Sequence, residues 1–149
     1  MSPPKTLPLA TIGYEGAPLG DVLGRLNDAG VGLLIDVRAV AASRRAGFSK
    51  TILASSLNDV GIDYLHLRNL GTPKDGRIAA RAGRIDEMRA IFIAHMQTDP
   101  AQAALCEAIA QSKRVRACLL CFEKDWGCCH RAIVADLIQA QTGAPILHL

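Results

Sequence analysis

Apolar residues in this chain follow two rhythms that alternate along its length. Short, nearly continuous apolar runs at Leu9 to Tyr14, Val31 to Val37, Asp63 to Leu67, Val115 to Phe122 and Ala144 to Leu149 have the length of strands. The second run is broken only by glycine and Asp36, which fits a strand covered on both faces. Between the runs, apolar positions recur three and four apart. After Pro18, the residues Leu19, Val22, Leu23 and Leu26 define an amphipathic helix with a stop at Gly30. Ser49 is expected to cap a helix that presents Ile52, Leu53, Leu57 and Val60 and closes at Gly61. Met88, Ile91, Phe92 and His95 continue at helical spacing, and Asp99-Pro100 reads as an N-cap followed by proline at the first helical position. A final helix is predicted over Cys129 to Gln141, with Ile133, Val134, Leu137 and Ile138 inward. About five strands alternating with about five helices predict an α/β fold, a single-domain three-layer αβα arrangement on a mainly parallel, Rossmann-like sheet.

The stretch from Leu70 to Arg84 follows neither rhythm. It is basic, contains glycine and reads as a long loop of the kind that forms lids or binding loops. Residues 1–8, with Pro3, Pro4 and Pro8, are expected to be a flexible arm ahead of one domain over residues 9–149. No apolar run approaches the roughly 18 to 20 residues needed to cross a bilayer, and the first residues lack a signal-peptide core. A cytoplasmic protein with no membrane partner is expected. The five cysteines, an odd number without an export signal, suit reduced thiols better than a disulfide framework.

Charge adds a direction to this picture. The net charge is only +3, yet the segment from Arg38 to Arg89 holds ten lysines and arginines against five acids. An anionic small molecule, a nucleotide or a nucleic-acid backbone would suit that segment; a solvated basic surface is the plainer reading. Against a base-stacking platform, the chain has one tryptophan, two tyrosines and three phenylalanines, not interleaved with basic residues.

In open parallel sheets, ligands bind beyond the carboxyl ends of the strands. That rule selects Tyr14 and Glu15, Asp36 and Arg38, His66 and Arg68, and Cys121 and Glu123. The richest stretch follows the fourth strand, where Cys121, Glu123, Cys128, Cys129, His130 and Arg131 lie close together. The last helix starts near Cys129, and its unpaired N–H groups favour an anion or a thiolate there. Glu123, Cys129 and His130 are therefore the catalytic candidates, with Glu123 as a base or as the group orienting His130, and Cys129 as nucleophile or positioning group. Tyr14, Arg38, Ser43, Arg44 and Arg131 are the substrate-binding candidates, with Arg131 gripping a phosphate or carboxylate through two bonds and Lys50 beside Arg38 and Arg44.

Each of these has a structural alternative. Cys118 and Cys121 also suit core packing, Glu123 with Arg131 an ion pair tying strand to helix, and Asp36 with Arg38 the satisfaction of neighbouring loops. Cys121, Cys128, Cys129 and His130 have zinc-like ligand chemistry but not the usual paired spacing, and Cys118 and Cys121, three apart on a strand, point to opposite faces. No metal or other cofactor is expected, with a metal bound at Cys121, Cys128, Cys129 and His130 as the lesser alternative. Gly13 and Gly16 do not complete a dinucleotide fingerprint, no phosphate-binding Gly-x-x-x-x-Gly-Lys-Ser/Thr loop occurs, and His95 and His148 read as core histidines.

The ordered set Thr11-Ile12-Gly13-Tyr14-Glu15-Gly16, Asp36-Val37-Arg38, Ser43-Arg44, Phe48-Ser49, Leu70-Gly71, Cys121-Phe122-Glu123 and Cys129-His130-Arg131 resembles the bacterial family of the domain of unknown function 488. The resemblance implies a compact α/β domain and no particular reaction. Two departures stand out: Val40-Ala41-Ala42 fill a stretch where family members often carry proline, and Cys128 adds a thiol beside the family cysteine Cys129. Three functions remain open at this stage. The first is a hydrolase or transferase acting on an anionic, phosphorylated or nucleotide-like substrate. The second is a thiol-based sulfur or redox transferase, since Ile35-Asp36-Val37-Arg38 also looks like a rhodanese segment. The third is a nucleic-acid-associated module using Arg38 to Arg89.

Overall fold

The strand-forming runs become β1 (Leu9–Gly13), β2 (Leu33–Asp36), β3 (Asp63–His66), β4 (Ala117–Cys121) and β5 (Ile146–His148) in a computed structural model that describes residues 6–149. All pair in parallel, in the order β3-β2-β4-β1-β5. The three central strands are buried on both faces, which explains why their sequences lack alternation. The arm expected over residues 1–8 lies, as far as residue 5, outside the described residues.

Helices α1 (Leu19–Asp28) and α2 (Lys50–Asp59) cover one face of the sheet. Their Val22, Leu26, Leu53 and Leu57 pack with Ala10, Ile12, Leu34, Cys118 and Leu120. Helices α3 (Lys74–Arg81), α4 (Ile85–Met96), α5 (Asp99–Arg114) and α6 (His130–Thr142) cover the other, where Phe92, Leu105, Val134 and Ile138 pack with Leu33, Ile35, Leu119 and Cys121. The result is a three-layer αβα fold on a five-stranded parallel sheet. Cys118 and Cys121 fall in opposite layers, as their spacing on a strand requires. No helix among the described residues is long and apolar enough to cross a membrane.

Four local expectations are corrected. Leu70 to Arg84 is not a long loop: a 3₁₀ turn at Arg68–Leu70 leads into α3, whose buried residues are only Gly76 and Ala79. A helix that packs through small side chains leaves no apolar period to read. At Gly76 a Cβ would crowd Thr72 and Ile91, so this close packing on α4 depends on glycine. In α2, Ile52 and Val60 are 57% and 46% exposed; Leu53 and Leu57 alone carry the buried face. Ser49 stands at the N-cap position of α2 without bonding the helix, because its hydroxyl instead donates to the Ser43 carbonyl. Helix α5 is capped one residue earlier than expected, at Thr98, with Pro100 in its first turn.

Candidate functional site

The helices that follow β1 and β2 pack on one face of the sheet, and the helix that follows β4, the strand between them, packs on the other. Chains diverging in this way leave a crevice beyond the carboxyl end of the middle strand. A cavity of about 540 Å³ opens there. Buried Cys121, Cys129 and His130 form its floor with half-buried Glu123, and Tyr14 and Arg38 stand beside them. Arg44, Lys74, Arg77 and Arg81 line its basic side, and Met88, Phe122 and Val40 supply apolar wall.

The floor is assembled from the end of β4 and the start of α6. His130 Nε2 donates to the Val37 carbonyl at 2.8 Å, which leaves Nδ1 facing the thiols. Cys121 Sγ lies 3.7 Å and Cys129 Sγ 3.8 Å from that nitrogen. Phe92 packs against the imidazole at 5.1 Å between ring centres. Cys121 Sγ is also 3.2 Å from Glu123 Oε2. At the N-cap position of α6, the Cys129 sulfur accepts the Arg131 backbone N–H at 3.5 Å.

These contacts divide the protons unequally. Burial opposes a charge on Cys129, but the Cys121 thiol and the neighbouring His130 and Arg131 cations outweigh it and hold the Cys129 thiol well below its ordinary range. Cys121 is raised well above its ordinary range by its hydrogen bond to Cys129, by burial and by the charges of Cys129 and Glu123. For Glu123, burial and then the Cys129 charge push the carboxyl up. Burial works to lower His130, yet the Cys129 thiolate raises it overall. The floor thus sets the most acidic of the cavity's thiols, Cys129, beside an imidazole, with a second thiol and a carboxyl group in reach.

Behind this floor, the buried Asp36 carboxylate receives Arg38 Nε at 2.9 Å, Arg38 Nη2 at 2.7 Å, the Arg38 backbone N–H at 3.1 Å and the Tyr64 hydroxyl at 2.5 Å. Arg38 Nη1 donates further to the Tyr14 hydroxyl at 3.0 Å and the Phe48 carbonyl at 2.8 Å. Burial works against the Arg38 charge, and the Asp36 carboxylate outweighs it, so Arg38 is firmly cationic. Tyr14 stacks on Phe48 with ring centres 4.2 Å apart. Most of the Arg38 donors are spent on the protein itself, so the residue shapes the cavity wall more than it offers itself to a ligand.

Arg131 and Cys128 are placed elsewhere. The Arg131 guanidinium is fully buried; Nη1 donates to the Glu123 carbonyl and Nη2 to the Lys124 carbonyl at 3.3 Å. It holds the main chain of the loop after β4, not the Glu123 carboxylate, and does not line the cavity. Cys128 lines the cavity but turns its thiol to Asp125 at 3.4 Å, a bond that raises it. Ser43 lines the cavity while its hydroxyl accepts the Arg45 backbone N–H at 3.1 Å. Lys50 is exposed at the start of α2 and does not line the cavity. His95 bonds the Asn69 carbonyl and His148 bonds Thr11 and stacks on Trp126, both outside the cavity.

A family model described as "Domain of unknown function DUF488" matches residues 18–138. The chain belongs to that family. No curated protein and no solved structure matches it. Within this DUF488 chain the matched stretch contains the whole floor of the cavity and its basic side, while the Thr11 to Gly16 motif precedes it. Sequence reasoning did not single out Lys74, Arg77 and Arg81 as site residues. Their spacing of three and four places one basic stripe on a helix, a signal that α3's missing apolar period concealed.

The Asp36 network of this DUF488 domain makes a pH-dependent prediction. Burial and then the bond to Asp36 push the Tyr64 hydroxyl well above its ordinary range. Tyr64→Phe is expected to cost about 1.5–3 kcal/mol at pH 8, the worth of a hydrogen bond to a charged group. The unfolded phenol ionises near pH 10 whereas the folded one keeps its proton to higher pH. The advantage of tyrosine over phenylalanine is therefore complete below about pH 10 and shrinks above it. Urea unfolding of both proteins at pH 8 and pH 11 checks the sign; a gap that widens at pH 11 contradicts it.

Proposed function

We propose that this protein is an enzyme, a hydrolase or a transferase, that takes an anionic, phosphate-bearing substrate into the cavity at the carboxyl edge of its sheet. One observation carries the reading: a single cavity has titrating groups of Cys121, Glu123, Cys129 and His130 at its buried floor and Arg44, Lys74, Arg77 and Arg81 along its side. Arg77 is already steadied by a bond from Nη1 to the Thr72 carbonyl at 2.9 Å, which lowers the entropy lost on gripping a phosphate. The basic residues bind the anionic group and lay the reacting bond over the floor, where Glu123 and His130 handle protons. The concave shape and the single exposed aromatic on the wall, Phe122, favour a small molecule or nucleotide over a nucleic-acid strand.

Calorimetric titration with inorganic pyrophosphate and with AMP tests the reading. Wild-type protein is expected to bind at least one of them, and the Arg44→Gln/Arg81→Gln variant at least about tenfold more weakly, as loss of a charge-assisted hydrogen bond predicts. Affinity unchanged in the variant, or no binding of either probe to wild type at low ionic strength, removes the proposal.

A further inference from the structure

We propose that Cys121, Cys129 and His130 form a site for a zinc-class divalent cation, with the fourth coordination position open to the cavity. The three donor atoms, two sulfurs and one ring nitrogen, lie within 4.8 Å of one another. Zinc–sulfur bonds of about 2.3 Å and zinc–nitrogen bonds of about 2.0–2.1 Å, meeting at a tetrahedral angle, place sulfur and nitrogen about 3.6 Å apart. The distances here are 3.7 and 3.8 Å, so an ion fits between the groups with little adjustment.

Two independent features support a metal over simple packing. The bond from His130 Nε2 to the Val37 carbonyl is the outer support that metal-binding histidines usually have, and it presents the Nδ1 lone pair to both sulfurs. The local charges also balance. A divalent ion offsets the two thiolates it binds, which otherwise sit buried beside one another. Sulfur and imidazole together select zinc-class ions over magnesium or calcium.

Of the four residues with zinc-like chemistry in the sequence, Cys121, Cys128, Cys129 and His130, three converge. Cys128 is engaged by Asp125 and stands aside, while Cys121 arrives from the end of β4. Binding sends the Cys121 thiol proton, together with any proton on Cys129 or His130 Nδ1, to solvent and forms two sulfur–metal bonds and one nitrogen–metal bond. Three protein ligands with a fourth position facing a cavity are the pattern of catalytic zinc rather than structural zinc. An ion held there would make a bound water more acidic, and Glu123, in contact with the ligand Cys121, is the carboxyl group placed to take its proton. That chemistry, unlike the metal site, rests on the reading of the cavity as an active site, and with both His130 nitrogens engaged it leaves the proton handling to Glu123.

The test uses the full chain, purified without chelators, with metal content measured by mass spectrometry and with zinc replaced by cobalt(II). A single zinc per chain is expected, and the cobalt form should show thiolate-to-cobalt charge transfer in the near ultraviolet together with the strong visible bands of a tetrahedral site. Cys121→Ser, Cys129→Ser and His130→Ala should each lose stoichiometric metal, and Cys128→Ser should keep it. Should the ligand variants fail to fold, the wild-type cobalt spectrum decides alone. Folded wild-type protein that takes up neither zinc nor cobalt overturns the proposal, as does a metal that depends on Cys128 and not on Cys121. Metal uptake beside unchanged pyrophosphate affinity in the Arg44→Gln/Arg81→Gln variant would leave this site standing and remove only the substrate reading.

Discussion

Arg38→Ala is expected to destabilise the fold by about 3–5 kcal/mol, measured by urea unfolding at pH 7. Asp36 is completely buried, and Arg38 supplies three of its hydrogen bonds as well as its counter-charge at 2.7 Å. The alanine variant retains the backbone donor and Tyr64 but leaves a carboxylate without a cation in the interior. The Tyr14 hydroxyl and Phe48 carbonyl lose their donor in the same step. A loss of this size measures the damage of leaving one partner alone, not the net worth of the pair. Asp36→Asn/Arg38→Met, which removes both charges together, should therefore recover more than half of it. A single variant within about 1 kcal/mol of wild type would show that Asp36 is not dependent on Arg38.

Gly13→Ala should cost about 3 kcal/mol or more, although it adds only a methyl group. Gly13 pairs with Cys121 at the end of β1, and a Cβ there would overlap the Glu123 carbonyl and press on Arg131 Nη1. Overpacking alone costs about 1–3 kcal/mol. Moving the Glu123 carbonyl also takes an acceptor from a buried guanidinium, which is the larger effect. Gly24, in the middle of α1 with nothing near its missing Cβ, is the control. Gly24→Ala should stabilise by about 0.5–1 kcal/mol, so opposite signs at the two glycines separate crowding from the general effect of alanine. Equal and small effects in thermal unfolding would refute the account of Gly13.

What could be read from the chain, and what could not, follows from which forces leave a periodic trace. Strands buried on both faces must be continuously apolar, so β1, β2 and β4 were visible as runs, and their carboxyl ends led directly to Tyr14, Arg38, Cys121 and Glu123. Helix α3 was invisible because it buries glycine and alanine and lines the cavity with its basic residues. Arg131 was misplaced for a different reason. A sequence displays its charge and not its burial, and the guanidinium serves two backbone carbonyls where a ligand had been expected. Spacing along the chain also obscured the sulfur cluster. Cys121 and Cys129 are separated by a loop that folds back, so that a strand end and a helix start bring their thiols to one imidazole.

The Arg131 contacts have a bearing on how this edge of the sheet can diverge. The segment after β4 is tied to the rest of the chain largely through its backbone: the Phe122 carbonyl accepts the Glu15 N–H, the Glu123 and Lys124 carbonyls accept Arg131, and the Lys124 N–H donates to the Glu15 carboxylate, with the Trp126 stack on His148 added by a side chain. The side chains of Phe122, Lys124, Asp125 and Trp126 meanwhile stand exposed. A frame secured in this manner tolerates exchange of its outward residues without losing its course. Outward residues along this edge can then change one at a time, while the groups beneath stay where Arg131 keeps them.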